Sequence, residues 1–163
     1  MSARERRYWD ASVFLSYIKG DPGRVEVCEA IIAMARKDEC EILTSTITLA
    51  EVVRPGRKGT VQLTEDMEKQ IAGFFRNPWI TLIDFTPAQG ALSRQLQWKS
   101  GLHVRDAIHA ASALSVKVDV IETYDADFKK ISVADFPGCP LIREPLDKAR
   151  PLFDSIKPED ESS

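Results

Sequence analysis

Long apolar runs and paired cysteines are both missing from this sequence of 163 residues. No segment reaches the roughly 20 apolar residues that span a bilayer, and the N-terminus lacks the apolar core of a signal peptide. The cysteines, Cys28, Cys40 and Cys139, are odd in number and lack the spacing of a metal site, which favours reduced thiols. We therefore expect one cytoplasmic domain without membrane contact, long enough to bury a core without disulfides.

Positive charge is also scarce, because 22 Lys and Arg residues face 25 Asp and Glu residues and give a net charge of −3. This balance argues against binding nucleic acid through bulk electrostatics. The argument weakens if some acids are gathered around bound cations. If the five acids discussed below are left out of the count, 20 acidic and 22 basic side chains remain. An acidic composition therefore does not exclude a polyanionic substrate.

Strand-like and helix-like segments alternate along the chain with short connections, a pattern typical of parallel sheets covered by helices on both faces. We predict an α/β fold with three layers, α/β/α, and a central, mainly parallel sheet of about five strands. This domain occupies residues 1–146, and residues 147–163 are expected to form a polar, flexible tail. The predicted strands cover residues 7–10, 41–45, 79–85, 118–123 and 140–142.

Four acidic residues are expected at the carboxyl edge of this sheet, where such folds bind their ligands. Asp10 ends the first strand, and Asp125 follows the fourth. Asp106 lies in the first turn of a small, apolar helix over residues 103–114, which leads into the fourth strand. Glu51 lies one turn into the helix after the second strand. The topology thus predicts that acids far apart in sequence share one rim.

Each acid also has a purely structural interpretation. Asp106 could cap its helix, and Asp10 could be a turn residue. Asp125 could cap a short helix that starts at the next residue, and Thr48 to Glu51 has the spacing of a capping box. Roles as caps or turn residues do not explain why several acids would lie together at one edge. Two carboxylates about 4 Å apart repel by roughly 4 kcal/mol at an effective dielectric of about 20. A group of four needs a cation or several protons.

Oxygen ligands without a nearby cysteine pair suit Mg²⁺ or Mn²⁺ better than zinc. A divalent ion held by carboxylates can activate water and neutralise charge on a phosphodiester under attack. If the fold brings the acids together, they therefore predict a hydrolytic metal site.

Four short motifs surround the acids. They are Trp9-Asp10-Ala11-Ser12, Thr48-Leu49-Ala50-Glu51-Val52, Arg105-Asp106-Ala107-Ile108-His109-Ala110-Ala111 and Thr123-Tyr124-Asp125-Ala126-Asp127-Phe128. These motifs resemble those of the PIN-domain family, and most closely its bacterial VapC-type toxins. They occur in the family's order, and the resemblance covers residues 6–143. Tyr124 and the Tyr8-Trp9 pair depart from the residues common in the family.

The resemblance implies a metal-dependent endoribonuclease, the toxin of a type II toxin–antitoxin pair. RNA is then the substrate, Mg²⁺ or Mn²⁺ the cofactor and an antitoxin the protein partner, and homodimers are usual. Asp127 matches an additional metal-binding acid, and Ser12 and Thr123 match hydroxyls that support the first and fourth acids. The catalytic and metal-binding quartet would be Asp10, Glu51, Asp106 and Asp125.

Basic residues near these acids are candidates for contacts with RNA phosphates. Arg54, Arg57 and Lys58 belong to a basic turn that follows the Glu51 helix, and Arg105 directly precedes Asp106. A solvated surface charge is the alternative interpretation of each.

Histidine and tryptophan invite functional interpretations that we weigh against packing. His103 and His109 could act as a general base or a metal ligand. His109 lies one turn beyond Asp106 in a packed helix, so we expect a core histidine with satisfied hydrogen bonds. Trp79 and Trp98 are expected in the core or a dimer contact rather than as stacking platforms for bases.

Three other functions remain open at this point. A non-catalytic PIN-like module could use its acids to hold a metal for stability while it binds RNA or a partner protein. The same site could cleave DNA. A phosphoacceptor domain of the receiver type is disfavoured, because the chain lacks a paired acid before Asp10 and a lysine at the end of the fifth strand.

Overall fold

The computed structural model describes residues 4–52 and 64–147. Its sheet has the strand order β3-β2-β1-β4-β5, and every neighbouring pair is parallel. Strand order reverses between β1 and β4, because the chain moves outwards to β3 before it returns to the other side of β1. The strands are β1 Glu5–Trp9, β2 Cys40–Ser45, β3 Ile80–Ile83, β4 Val120–Glu122 and β5 Leu141–Arg143.

Helices connect the strands as the alternation predicts. Thr64 and Thr86 cap two of them by accepting a hydrogen bond from the backbone N–H three residues on. Within the described ranges, no helix is both long and apolar enough to cross a membrane. The helices are α1 Ala11–Lys19, α2 Arg24–Arg36, α3 Ile47–Glu51, α4 Glu65–Phe74, α5 Pro87–Ser100 and α6 Val104–Ser115, followed by a 3₁₀ helix, Ala126–Lys130. The predicted basic turn and residues 148–163 of the predicted tail lie outside the described residues.

The capping-box interpretation of Thr48 and Glu51 is wrong. Helix α3 begins at Ile47 with Thr46 at the capping position, so Thr48 already lies inside the helix. The Thr48 hydroxyl instead hydrogen-bonds with Oγ1 of Thr44 at 2.7 Å. Glu51 therefore has no capping role and ends α3.

Helices cover both faces of the sheet, which confirms the three-layer prediction. Tyr8 belongs to a core with residues of α5 and α6, whereas Trp9 belongs to a core with residues of α1 and α2. Trp79 packs against the second core as expected. Trp98 is not a core residue, because its side chain is 83% exposed, and a dimer contact, the other expectation for Trp98, stays a prediction. Trp98 follows the buried Leu96 of α5 by two residues, which places the two side chains on different faces of the helix.

Small residues bring α6 close to its neighbours. Ala107, Ala110 and Ala111 are fully buried, and the Ser93 hydroxyl of α5 donates to the backbone carbonyl of Ala107 at 3.2 Å. Without bulky side chains between them, the backbones of the two helices can approach closely. This packing fixes the first turn of α6, which carries Asp106, at the carboxyl edge of the sheet.

A buried ion pair that the sequence analysis did not anticipate joins β1 to β4. Glu122 and Arg7 are fully buried, and their Oε1 and Nη1 atoms lie 3.1 Å apart. Glu122 also accepts hydrogen bonds from Trp9 Nε1 at 2.8 Å and from Arg143 Nη2 at 3.1 Å. Because a buried carboxylate is tolerated only when it is paired, these bonds hold β4 in register beside β1. The residues just beyond both strands are thereby fixed relative to each other.

Candidate metal centre and active site

The sequence-predicted acids gather where the strand order reverses, which is the usual ligand-binding crevice of an open parallel sheet. Asp10 directly follows β1, and Thr123 directly follows β4. Asp125 follows two residues later, at the start of the 3₁₀ helix. The first turn of α6 brings Asp106 to the same place.

Asp10 is a buried carboxylate with a fixed orientation. Its Oδ1 accepts a hydrogen bond from Ser12 Oγ at 2.5 Å, and its Oδ2 accepts one from Thr123 Oγ1 at 2.7 Å. It also caps α1 by accepting from the Val13 N–H. Burial raises the pKa of Asp10, and the Ser12 hydroxyl opposes that rise. Both oxygens are therefore held in place by groups from β4 and α1.

The predicted supporting hydroxyls link Asp10 to the loop that carries Asp125. Thr123 Oγ1 donates to Asp10 and accepts from the Asp125 N–H at 2.9 Å. Ser12 Oγ accepts from the Tyr124 N–H at 3.1 Å while it donates to Asp10. Each hydroxyl thus ties the end of β1 to the loop that follows β4.

Three carboxylates form a compact group beside Asp10. Asp106, Asp125 and Asp127 each present an oxygen within 4.8 Å of the other two. Asp125 caps the 3₁₀ helix by accepting from the Asp127 N–H at 2.9 Å, as its structural interpretation predicts. Asp127 also pairs with Lys130 at 2.8 Å, and this hydrogen bond lowers the pKa of Asp127. Two of the three carboxylates are therefore positioned by local contacts.

Asp106 is the carboxylate of this group that the protein does not satisfy. The interpretation of Asp106 as a helix cap is wrong, because His103 occupies the capping position of α6. Asp106 accepts no hydrogen bond from any residue of the described ranges. Desolvation, followed by the charges of Asp125 and Asp10, raises the pKa of Asp106 to about 6. A proton or a cation relieves this repulsion.

Glu51, the fourth predicted acid, is held slightly apart from that group. Its Oε2 atom lies 2.6 Å from His109 Nε2, and its Oε1 atom lies 3.9 Å from Arg105 Nε. Among the described residues, the compact group of possible ligands comprises the three aspartates and does not include Glu51. The carboxylate is nearly buried and carries its own hydrogen-bond partner.

His109 connects Glu51 to the interior of the sheet. Its Nδ1 atom lies 2.7 Å from the Tyr8 hydroxyl, which accepts from the Ser45 N–H at 3.2 Å. A neutral imidazole that donates from Nε2 to Glu51 and accepts at Nδ1 from Tyr8 satisfies all three side chains. The expectation of a core histidine with satisfied hydrogen bonds is confirmed, with His109 only 2% exposed.

The contact between His109 and Glu51 was not predicted, although the sequence of α6 carries a signal for it. Arg105 and His109 are four residues apart and so lie on one face of the helix. Both contact the same carboxylate. Arg105 is half exposed, and the predicted basic residues Arg54, Arg57 and Lys58 lie outside the described residues.

The residues present fit a divalent cation. The compact group offers carboxylate oxygens only, which is the donor set that Mg²⁺ and Mn²⁺ prefer. Asp106 has a free carboxylate and a raised pKa, so its surroundings favour either a proton or an added positive charge. The arrangement can therefore hold a cation beside a rigid buried carboxylate, Asp10.

Replacement of His109 tests the hydrogen-bond chain. His109→Leu leaves the Tyr8 O–H without its acceptor and Glu51 Oε2 without its donor, so the free energy of unfolding should fall by about 1–3 kcal/mol in urea denaturation. His103→Leu, at an exposed position, should change it little. In the double variant with Tyr8→Phe, the loss should be smaller than the sum of the single losses. Additive losses would contradict the chain.

The raised pKa of Asp106 makes the stability of the metal-free protein depend on pH. An unfolded chain ionises this carboxyl near pKa 3.8, whereas the folded chain retains the proton to about pH 6. The free energy of unfolding should therefore contain a contribution that is lost as pH rises from about 4 to 6. Urea denaturation in the presence of a chelator should show this loss, and Asp106→Asn should reduce it. The exposed control Asp135→Asn should retain it, and identical profiles for all three proteins would contradict the assignment.

Comparisons with known proteins identify the family and the fold. The family described as PIN domain matches residues 7–134. A search of curated proteins gives no match. The solved structures similar to this one include VapBC2 of Rickettsia felis bound to a promoter DNA fragment, with TM-score 0.55 and 22% identity over 85% of this chain and 97% of the other.

Two further structures are similar at lower sequence identity. Mycobacterium tuberculosis VapC20, described as a sarcin–ricin loop cleaving toxin, has TM-score 0.58 and 12% identity over 76% of this chain and 92% of its own. A FitAB-type complex of Neisseria gonorrhoeae has TM-score 0.56 and 16% identity over 85% of this chain and 97% of its own. At these identities the likeness concerns the fold. Since the family match covers most of the sequence, the chain belongs to the PIN-domain family.

Proposed function

We propose that this protein is an endoribonuclease that depends on Mg²⁺ or Mn²⁺ and acts as the toxin of a type II toxin–antitoxin pair. The observation that carries the proposal is the group of Asp106, Asp125 and Asp127, whose oxygens lie within 4.8 Å of one another. Membership of the PIN-domain family supports a nuclease activity. Mycobacterium tuberculosis VapC20, which is similar in fold, is described as a sarcin–ricin loop cleaving toxin, and this favours RNA as the substrate.

The cation would be held by Asp106, Asp125 and Asp127, and the carboxylate of Asp10 would add negative charge beside it. When bound, a divalent ion supplies positive charge against the phosphodiester and favours loss of a proton from water. Asp10 keeps its orientation because Ser12 and Thr123 each donate to a different carboxylate oxygen. This rigidity places negative charge where the cation belongs without any reorganisation of the side chain.

Glu51 would be the fourth acid of the catalytic quartet. His109 holds Oε2 at 2.6 Å, so Oε1 is the oxygen that remains for water or substrate. Arg105 lies 3.9 Å from this Oε1 atom and is half exposed, which suits a contact with an RNA phosphate. Arg54, Arg57 and Lys58 remain predicted RNA contacts on the basis of sequence.

The proposed partners follow from the structures that share the fold. A similar structure from Klebsiella pneumoniae is described as a toxin–antitoxin complex, which supports an antitoxin as the protein partner. A homodimer is proposed on the family resemblance alone. The nuclease domain would comprise residues 1–146 and the polar tail residues 147–163.

Cleavage assays with purified protein test the proposed activity. Single-stranded RNA and total RNA should be cut in the presence of Mg²⁺ or Mn²⁺, and a chelator should stop the cut. Asp106→Asn should lower the rate by at least about 100-fold, because it removes a charge that would hold the cation. Asp84→Asn is the matched control, since Asp84 also directly follows a strand but is exposed outside the group.

Each other outcome selects a different function. Cleavage of DNA but not RNA of the same sequence would contradict the substrate. RNA binding without cleavage, equal in the wild type and Asp106→Asn, would indicate a non-catalytic binding module. Cleavage that persists in a chelator would contradict a metal-dependent mechanism.

A further inference from the structure

A cleft of about 420 Å³ opens directly beside the acidic site. It lies between the end of α1, the start of α2 and the loop that follows β4. Its volume is within the range of pockets that bind small organic groups. The residues that give the cleft its chemistry are Ser12, Ser16, Lys19, Arg24, Tyr124 and Asp125.

Arg24 is held in the cleft by an aromatic ring rather than by an acid. Its guanidinium carbon lies 4.0 Å from the centroid of the Tyr124 ring, and its Nη1 atom lies 3.4 Å from Ser16 Oγ. Stacking on one face leaves the in-plane donors and the other face of the guanidinium available. The side chain is exposed, so these donors can reach a ligand.

Positive charge in this cleft is not neutralised by ion pairs. Neither Lys19 nor Arg24 forms a salt bridge with any residue of the described part of the chain. Asp21 also lines the cleft and adds a negative charge there, but within the described residues its carboxylate forms no salt bridge with Lys19 or Arg24. Asp125 belongs to the carboxylate group that would share its charge with a cation. Neither basic side chain is thus engaged in an ion pair by an acid of the described residues.

The cleft is continuous with the acidic site. Ser12 lines the cleft and donates to Asp10, and its hydroxyl accepts from the Tyr124 N–H. Tyr124 and Asp125 are consecutive, so the ring that supports Arg24 and the acid of the compact group belong to one short loop. The cleft and the carboxylate group therefore share Asp125, and Ser12 joins the cleft to Asp10.

We propose that this cleft binds the RNA backbone next to the cleaved phosphodiester, with Arg24 and Lys19 as the phosphate-binding residues. The inference rests on the proposed function, because it assigns a substrate subsite to the same nuclease. Arg24 binds phosphate oxygens through its free in-plane donors, and Tyr124 is a positioning residue that fixes the guanidinium plane. The exposed face of the guanidinium can also support a base of single-stranded RNA.

The test measures RNA affinity as a function of salt. A labelled single-stranded RNA is titrated with the Asp106→Asn protein in Mg²⁺, which prevents cleavage, and with the same protein carrying Arg24→Ala. The added substitution should weaken binding roughly tenfold at about 0.1 M salt. Because a phosphate contact on a single strand contributes about 0.7 to the slope of log affinity against log salt, the slope should fall by about that amount.

Two further substitutions separate charge from geometry. Arg24→Lys keeps the charge but loses the planar donors, so the slope should stay near its original value while affinity falls. Arg36→Ala is the matched control. Arg36 is exposed and ends the same helix, α2. Its guanidinium carbon also lies over an aromatic ring, 5.6 Å from the centroid of Trp79. It should change neither affinity nor slope. The melting temperature of each protein checks that the fold is intact.

The results distinguish failure of this inference from failure of the proposed function. If the wild type cleaves RNA but Arg24→Ala leaves both slope and affinity unchanged, the cleft is not a subsite and the nuclease assignment stands. If Arg36→Ala causes the same loss as Arg24→Ala, the effect is general electrostatics and the inference is overturned. If the wild type does not cleave and the Asp106→Asn protein does not bind RNA, both proposals fail.

Discussion

Mutual repulsion of carboxylates at the junction of β1 and β4 is the constraint on which the rest of the site depends. Asp106, Asp125 and Asp127 lie within 4.8 Å of one another, and buried Asp10 adds its charge nearby. Such a group is unstable unless a proton or a cation compensates it. The packing of the scaffold holds the carboxylates together against this repulsion. The Arg7–Glu122 pair fixes β4 beside β1, and the alanines of α6 bring Asp106 close.

The acids divide into those that the protein satisfies and one that it leaves open. Asp10 has two hydroxyl donors, Asp127 has Lys130, and Glu51 has His109. Asp106 accepts no hydrogen bond from the described residues and has a pKa raised to about 6. Carboxylates that are held in place around Asp106, which lacks a hydrogen-bond donor in the described ranges, are suited to binding a cation. Lys19 and Arg24 line the adjoining cleft with Ser12, and in the proposed function they would supply positive charge to an RNA strand.

Sequence was sufficient for the fold and for the sheet edge at which Asp10, Asp106 and Asp125 lie. The alternation of strands and helices predicts the sheet, and the positions of Asp10 and Asp125 after parallel strands predict a shared edge. The sequence did not predict which residues these side chains contact. The Glu51–His109 contact joins residues 58 positions apart, so it depends on how α3 and α6 pack. The Arg7–Glu122 pair joins residues 115 positions apart, and its burial could not be read from either strand alone.

The central claim is that the carboxylate group holds a divalent cation. A crystal of the protein grown with Mn²⁺ tests it most directly through anomalous scattering at the manganese absorption edge. The account predicts an anomalous peak in contact with Asp106, Asp125 or Asp127 and close to Asp10. It also predicts that the peak is lost in Asp106→Asn. An empty carboxylate group at saturating Mn²⁺, or manganese bound only elsewhere on the surface, would contradict it.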